Sequence, residues 1–479
     1  MVTTAVNESK ISLLTQDLAF IVEQVGEESW QDFRGGRLFL TGGTAFFGIW
    51  ILASLQAANR AYGLGCQIEV LSRNPAPFLA QFPEFASDPF IQFTTGDVRY
   101  FTYPKGSFTH VIHGAVETRK EAPPLPVALL DVLINGTQRV LEFAGQSGVE
   151  KLLFLSSGAA YGTIKPSRNG VSEESASTLL PQDGNATLGI GKWTAEHLCH
   201  QFAAQRALQI KTARCFSFVG PFMPMKGNLA IGNFIADAVE GEAIHVKGDG
   251  TPIRSYLYVS DLMIWLWKIL VHDQSGLPVN VGSDEPLSIQ ALATLTQQTL
   301  SPQKPIILAS QPSNDAPRSF YAPDIRRAKE TLGLKRYTSL QVGIAQTARW
   351  YRAWKSLTAA EASQDDTPQH KSVEKMTFVC DIDGVVARLT AGNDYAQSTP
   401  NTEMIQTINA LYDAGHHIIM FTARGTMTGM DWEAVTRDQF KRWGLRYHTL
   451  KFGKPAGDYY VDDRMISVAA MSALSKGGL

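Results

Sequence analysis

The sequence has no clustered cysteines. Its four, Cys66, Cys199, Cys215 and Cys380, lie far apart and form neither a CxxC pair nor a zinc spacing. That excludes a disulfide framework and fits a reducing, cytoplasmic setting. Long apolar runs are also missing. The most apolar stretches, such as Leu262 to Val271, fall well short of a bilayer span. The N-terminus lacks the basic-then-apolar pattern of a signal peptide. Charge of one sign is scarce as well. A formal net charge of -2 over 479 residues offers no basic surface for nucleic acid, and no cationic amphipathic stretch suits a membrane. Internal repeats are absent. What remains is globular composition, 44% hydrophobic and 18% charged, in a chain too long for one ordinary core.

Residues 1–35 form a helical leader with an apolar face of Ile21, Val22, Val25 and Trp30. From Arg37 the pattern alternates short apolar strands with helices, through "RLFLT", "CQIEVLS", "THVIHGA", "EKLLFLSS", "IKTARCFSF" and "PVNVGS". Such alternation predicts an α/β fold with a parallel sheet covered on both faces, over residues 36–356. Trp265 and Trp267 read as core of a helix rather than as a sugar platform. Residues 357–374 are small, polar and aperiodic and read as a linker. The alternation restarts over residues 375–479 with "MTFVCDIDG", "HHIIMFTAR" and "GDYYVDDR".

The first unit opens with a dinucleotide fingerprint. Thr41-Gly42-Gly43-Thr44-Ala45-Phe46-Phe47-Gly48 follows a strand and starts a helix. Gly42 and Gly43 allow a tight turn close to a pyrophosphate, which Thr44, Phe46 and Phe47 would flank. Gly48 lets the helix pack on the strand, and the helix N-terminus faces the phosphates. Ala45 departs from the usual middle glycine. The next strand ends in Ser72 and Arg73, where an acidic residue would bind the ribose of NAD. Serine and arginine suit a 2′-phosphate, so the cofactor is NADP or NAD, with a lean to NADP.

These residues resemble the extended short-chain dehydrogenase/reductase family, the NAD-dependent epimerase/dehydratase group, from about Gly36 to Tyr351. The resemblance rests on an ordered series: "TGGTAFFG", "GDV" (96–98), "VIHGA" (111–115), "NGT" (135–137), "LSSGAAYG" (155–162), "GIGKWTAE" (189–196), "ARCFSFVGP" (213–221), "GDGTPIRSYLYVSDL" (248–262) and "NVGS" (280–283). It implies a Rossmann-fold domain with a smaller lobe for a nucleotide sugar. It further implies Asp97 and Val98 at the adenine, Gly114 and Ala115 along the cofactor, and Arg254 or Arg318 at the substrate diphosphate. A homodimer is implied too.

The family pattern breaks at one place. Ser157 and Lys192 match its serine and lysine, but Leu188 stands four residues before the lysine, where a tyrosine is usual. Leucine cannot accept a hydroxyl proton. Three readings stay open: Tyr161, Thr187 or His113 substitutes; Lys192 or a water handles the proton; or this half only binds. Gly158 and Ala159 follow Ser157 where dehydratases carry Asp-Glu, which disfavours sugar dehydration and, for the same reason, decarboxylation.

The second unit carries paired carboxylates at a strand end. Asp381 can attack phosphorus, and Asp383 can protonate the leaving oxygen and then activate water. Thr422 ends a later strand and can bond phosphoryl oxygens. Lys454, or alternatively Lys451, can neutralise charge. Asp462 and Asp463, with Asp458 as an alternative, suit Mg²⁺ together with Asp381 and Asp383. Arg424 is a candidate substrate contact. The set resembles the haloacid dehalogenase superfamily over about Lys375 to Leu474 and implies a phosphatase of phosphomonoesters with at most a small cap. The sequence thus reads as a bifunctional carbohydrate-pathway enzyme. The alternative is a phosphatase carrying a non-catalytic nucleotide-sugar or NADP module.

Overall fold

The computed structural model describes residues 10–116, 125–167, 169–183, 186–206, 208–273, 276–311, 319–364, 377–388, 395–424 and 430–453, with side chains of the 319–364 stretch described to residue 358. The chain divides into two compact units, Met1–Ala362 and Ser363–Leu479.

In the first unit six strands run in chain order: β1 (Arg37–Thr41), β2 (Gln67–Ser72), β3 (Ile91–Thr95), β4 (His110–His113), β5 (Lys151–Ser157) and β6 (Gln209–Cys215). With the strand Pro278–Val281 they form a seven-stranded parallel sheet, ordered Pro278–Val281, β6, β5, β4, β1, β2, β3. β1 and β5 carry continuous apolar runs, residues 38–40 and 152–155, because both faces are covered, whereas β4 and β6 also bury His110, His113, Lys211 and Arg214. Successive side chains enter opposite cores. Leu38 and Leu40 pack with the helices Phe46–Tyr62 and Val259–Val271, whereas Phe39 packs with Pro126–Gln146 and Thr187–Gln205. Chain order reverses between β1 and β4, so a crevice opens at their C-terminal ends.

The leader is part of this core. The helices Thr15–Val25 and Glu27–Gln31 bury Ile21, Val22, Val25 and Trp30. Trp30 lies 5.1 Å from Trp267, ring centre to ring centre, and its Nε1 donates to the Val22 carbonyl at 3.1 Å. Tyr258 donates to Asp17 at 2.9 Å, and burial raises the Asp17 carboxyl to about 6. Trp265 and Trp267 are fully buried.

A smaller lobe contains a three-stranded sheet of Ile253–Arg254, Leu287–Ser288 and Phe320–Tyr321, and a pair Ile244–Val246 with Ile306–Leu308. The helix Leu340–Gln364 continues into the stretch read as a linker, within which the two units divide. Alanine-rich "LTAAEASQ" has high helix propensity despite its lack of an apolar stripe.

The second unit holds three parallel strands, Thr377–Asp381, His417–Phe421 and Thr449–Lys451, with His417–Phe421 central. Ile382, Val386, Met404, Ile408, Ile418 and Phe440 form its core, with contributions from the helices Thr402–Asp413 and Glu433–Trp443. Among the described residues no helix is long and apolar enough to cross a membrane.

Candidate active sites

The turn after β1 is built around two glycines. Gly42 has φ +80°, and a Cβ there would lie 2.8 Å from the backbone of Gly114. A Cβ on Gly48 would lie 2.3 Å from the Gly43 carbonyl. The turn therefore touches both the β4 turn and its own helix, leaving a cradle that a side chain would fill. Ala45 caps the helix Phe46–Tyr62 without a side-chain bond, so the first N–H groups face outward, as an anion site requires. Gly48→Ala is expected to cost about 3 kcal/mol, since the clash is with backbone, and to weaken dinucleotide binding at least about tenfold. Denaturant unfolding and a fluorescence titration with NAD and NADP check both.

Thr41 ties the β1 and β4 ends together. Its Oγ1 accepts from the N–H groups of Gly114 and Ala115, each at 3.2 Å, and bonds His113 Nδ1 at 2.7 Å. His113 Nε2 bonds Thr137 Oγ1 at 3.0 Å, and Thr137 spends its proton on the Leu133 carbonyl. Nε2 must then carry the hydrogen, and Nδ1 accepts from Thr41. Burial, with Lys192 nearby, drops the His113 pKa to about 3. His113 is neutral with both nitrogens used, so it does not replace the missing tyrosine.

Tyr161 is excluded similarly. Its hydroxyl donates to Asn280 Oδ1 at 2.8 Å, Arg214 lies 4.6 Å over its ring, and burial pushes it up to about 12. Thr187 opens its helix and is not among the residues lining the cavity described next.

A cavity of about 1110 Å³ starts at the glycine turn and runs into the smaller lobe. It brings together Gly42, Phe46, Phe47, Gly48, Gly114, Ser157, Leu188, Lys192 and Arg254. Gly43, Thr44, Ser72, Arg73, Asp97, Val98 and Ala115 do not line it. Ser72 pairs with Thr95 at the ends of β2 and β3, and Gly96 N donates to its carbonyl at 3.0 Å. Asp97 accepts from Arg99 Nε and Nη2, both at 2.8 Å, which holds its carboxyl below the usual range. Arg318 lies outside the described residues. His245, Lys247 and Tyr256, overlooked in the sequence, line the far end with Arg254. Their only sequence signal was their position around the "GDG" turn.

Lys192 Nζ donates to the Leu155 carbonyl at 2.6 Å and stands 4.8 Å over the Phe154 ring. Burial lowers its pKa from 10.5 to about 8, against an opposing pull from Cys215, Cys199 and Glu196. The unfolded chain then binds more protons between these two values, so stability rises with pH across that window; below about 8 the cost of the buried charge is fully present. Lys192→Met is expected to be more stable than the parent at neutral pH by up to roughly 3 kcal/mol. The difference should shrink as pH rises toward 10.5. Urea melts at several pH values measure it.

In the second unit Asp381, Phe421 and Lys451 stand side by side at three strand ends. Asp383 follows two residues on. Thr422 is buried, donates its N–H to the Lys451 carbonyl at 3.0 Å, and accepts from Arg424 N at 3.1 Å. Arg424 corrects an expectation. Its guanidinium is fully buried, donating to Asp383 at 2.7 and 2.9 Å, to Gln439 at 2.7 Å and to Thr436 at 3.1 Å. It orients Asp383 and is not open to a substrate. Among the described residues no group of three or more metal-binding side chains clusters. Lys454, Asp458, Asp462 and Asp463 lie outside the described residues.

Comparison with known proteins agrees with the first unit. The chain is 32% identical to UDP-glucuronic acid decarboxylase 1 of Xenopus tropicalis over 227 residues, 47% of this chain and 52% of that protein. It thus spans about half that relative's length. UDP-glucose 4-epimerase of Thermotoga maritima, solved with UDP-glucose, superimposes with a TM-score of 0.54 at 21% identity, covering 67% of this chain and 99% of that one. A dTDP-glucose 4,6-dehydratase of Bacillus anthracis, solved with NAD, gives 0.54 at 18% identity, covering 67% and 98%. The model of the NAD dependent epimerase/dehydratase family matches residues 38–282, just over half of the chain, and the chain belongs to that family.

Proposed function

We propose that the first unit binds NAD or NADP with a nucleotide sugar and transforms the sugar by epimerisation or ketoreduction, and that the second unit hydrolyses a phosphomonoester. The observation that carries the first reading is one cavity, at the sheet's reversal point, joining the glycine turn to Ser157, Lys192 and Arg254. The cradle of Gly42 and Gly48 fits a dinucleotide; when bound, it would supply the hydride acceptor or donor. Arg254 is placed for a diphosphate, its guanidinium anchored on the Ile253 carbonyl at 2.8 Å and Ser319 Oγ at 3.2 Å. Lys192 holds positive charge beside the reacting sugar. UDP-sugars are the substrate class suggested by the relatives. Gly158 and Ala159, without carboxylates, argue against the decarboxylation and dehydration those relatives are named for. A cytoplasmic homodimer belongs to the same reading.

In the second unit Asp381 would attack phosphorus while the ester P–O bond breaks and Asp383 protonates the leaving oxygen. Water then attacks the aspartyl phosphate, gives its proton to Asp383 and releases phosphate. Asp381 at the end of its strand, with Asp383 two residues on, supports this. Leu188 favours a second reading, in which the first unit binds without turnover.

Both are tested by incubating the protein in D₂O with NAD or NADP, UDP-glucuronic acid, UDP-glucose and a panel of sugar phosphates with Mg²⁺. Chromatography that separates sugar epimers, coupled to mass spectrometry, then follows conversion of the nucleotide sugars, any deuterium uptake, and phosphate release. Conversion of a nucleotide sugar supports a catalytic first unit. Phosphate release without it favours the binding module.

A further inference from the structure

Among the described residues Phe222 is the only one other than glycine with a positive φ, at +69°. It stands third in the turn 220–223, which Met223 N closes on the Gly220 carbonyl at 3.3 Å. Proline second and positive φ third is the pattern of a type II turn, whose third place ordinarily holds glycine. A Cβ disfavours that backbone. A strained residue of this kind persists only where its surroundings hold it, and such residues gather at ligand sites.

The Phe222 ring is held in an aromatic cage. Its centre lies 4.9 Å from that of Trp350, 5.5 Å from Trp354 and 5.4 Å from Phe82, each edge to face. Both tryptophans belong to the helix Leu340–Gln364. Phe222 lines the cavity, whereas none of its three cage partners does. The segment that follows it forms one wall, through Met223, Pro224, Gly227, Asn228 and Leu229. This wall is pinned at two places. At the first, the caged ring is joined by Trp50, whose Nε1 donates to the Pro221 carbonyl at 3.0 Å. At the second, Asn233 exchanges bonds of 2.9 and 2.8 Å with Gly227, and Lys247 Nζ donates to the Gly227 carbonyl at 3.2 Å. Lys247 lines the same end of the cavity as Arg254. The wall therefore borders the place assigned to the nucleotide sugar.

We propose that Phe222 is a positioning residue for the nucleotide sugar. Its ring, wedged among Phe82, Trp350 and Trp354, fixes the segment 222–229 where that segment closes on the ligand. Glycine would suit the turn but leave the cage empty and the wall held at one end. The inference rests on the first unit binding a nucleotide sugar and does not require turnover.

The test is calorimetric titration of the parent, Phe222→Gly, Trp354→Ala and the double variant. The ligands are UDP-glucose, UDP-glucuronic acid, NAD and NADP, and thermal midpoints are taken alongside. Phe222→Gly should weaken UDP-sugar binding about tenfold, the scale of losing one buried aromatic anchor, and leave dinucleotide affinity unchanged. Its midpoint should move little, because relief of the turn opposes the loss of ring contacts. Trp354→Ala, which touches the ring but not the cavity, should give the same selective loss. The double variant should lose no more than either single one, since both remove the same wedge. UDP-sugar affinity unchanged in Phe222→Gly, or weakened equally with dinucleotide affinity, overturns the inference and leaves the nucleotide-sugar reading intact. Should Phe222→Gly fail to fold, Trp354→Ala decides by the same two criteria. A parent that binds neither UDP-sugar overturns both.

Discussion

Asp381→Asn is expected to reduce phosphate release at least about a thousandfold, the scale on which removing a covalent nucleophile acts. An amide is nearly the same size as the carboxylate but is a very poor nucleophile. It retains a carbonyl oxygen that can accept from Ile382 N, as Asp381 Oδ1 does at 2.7 Å. The fold should survive, and thermal midpoints would verify that. Asp383→Asn is the poorer probe. It would neutralise the partner of a fully buried guanidinium, and breaking such a pair costs about 3–5 kcal/mol. Lost activity there would be confounded with lost stability. A phosphate assay on the sugar-phosphate panel is the measurement. Release surviving in Asp381→Asn would end the phosphatase assignment.

The second large effect is a gain. Leu188→Tyr should raise turnover of a nucleotide sugar about a hundredfold, within the usual range for a positioned general base. The helix Thr187–Gln205 sets residue 188 one turn before Lys192, and both line the cavity. Leu188 is half-buried, so a phenol has room. The Lys192 cation would lower the new phenol's pKa, and the rate should follow a new apparent ionisation near neutrality. Initial rates across pH, with UDP-glucose and UDP-glucuronic acid, test it. Unchanged turnover would mean that the proton already leaves by another route. Absence of turnover in both proteins would favour the binding module.

Much of the architecture was legible because strands such as β1 and β5 carry continuous apolar runs and the glycine turn sits between strand and helix. Local pattern suffices for such features. The relations that decide the chemistry are not local. His113 looked available at a strand end, yet Thr41 and Thr137, from elsewhere in the chain, occupy both nitrogens. Arg424 looked like a substrate contact beside Thr422, yet Asp383, Thr436 and Gln439 converge on it. The helix running to Gln364 was missed for another reason: polarity was weighed above the helix propensity of alanine.

The leader's place in the core has an evolutionary corollary. The stretch shared with the family begins at residue 38, but Trp30 and Phe33 before it, and Ile344 and Trp350 long after it, pack in the same interior. The segment that descent has kept recognisable is therefore shorter than the segment that must fold together. A recombination that exchanged only the recognisable part would import a sheet while stranding the indole rings that seal it. Successful exchange would have to carry the leader and the helix Leu340–Gln364 as one inheritance.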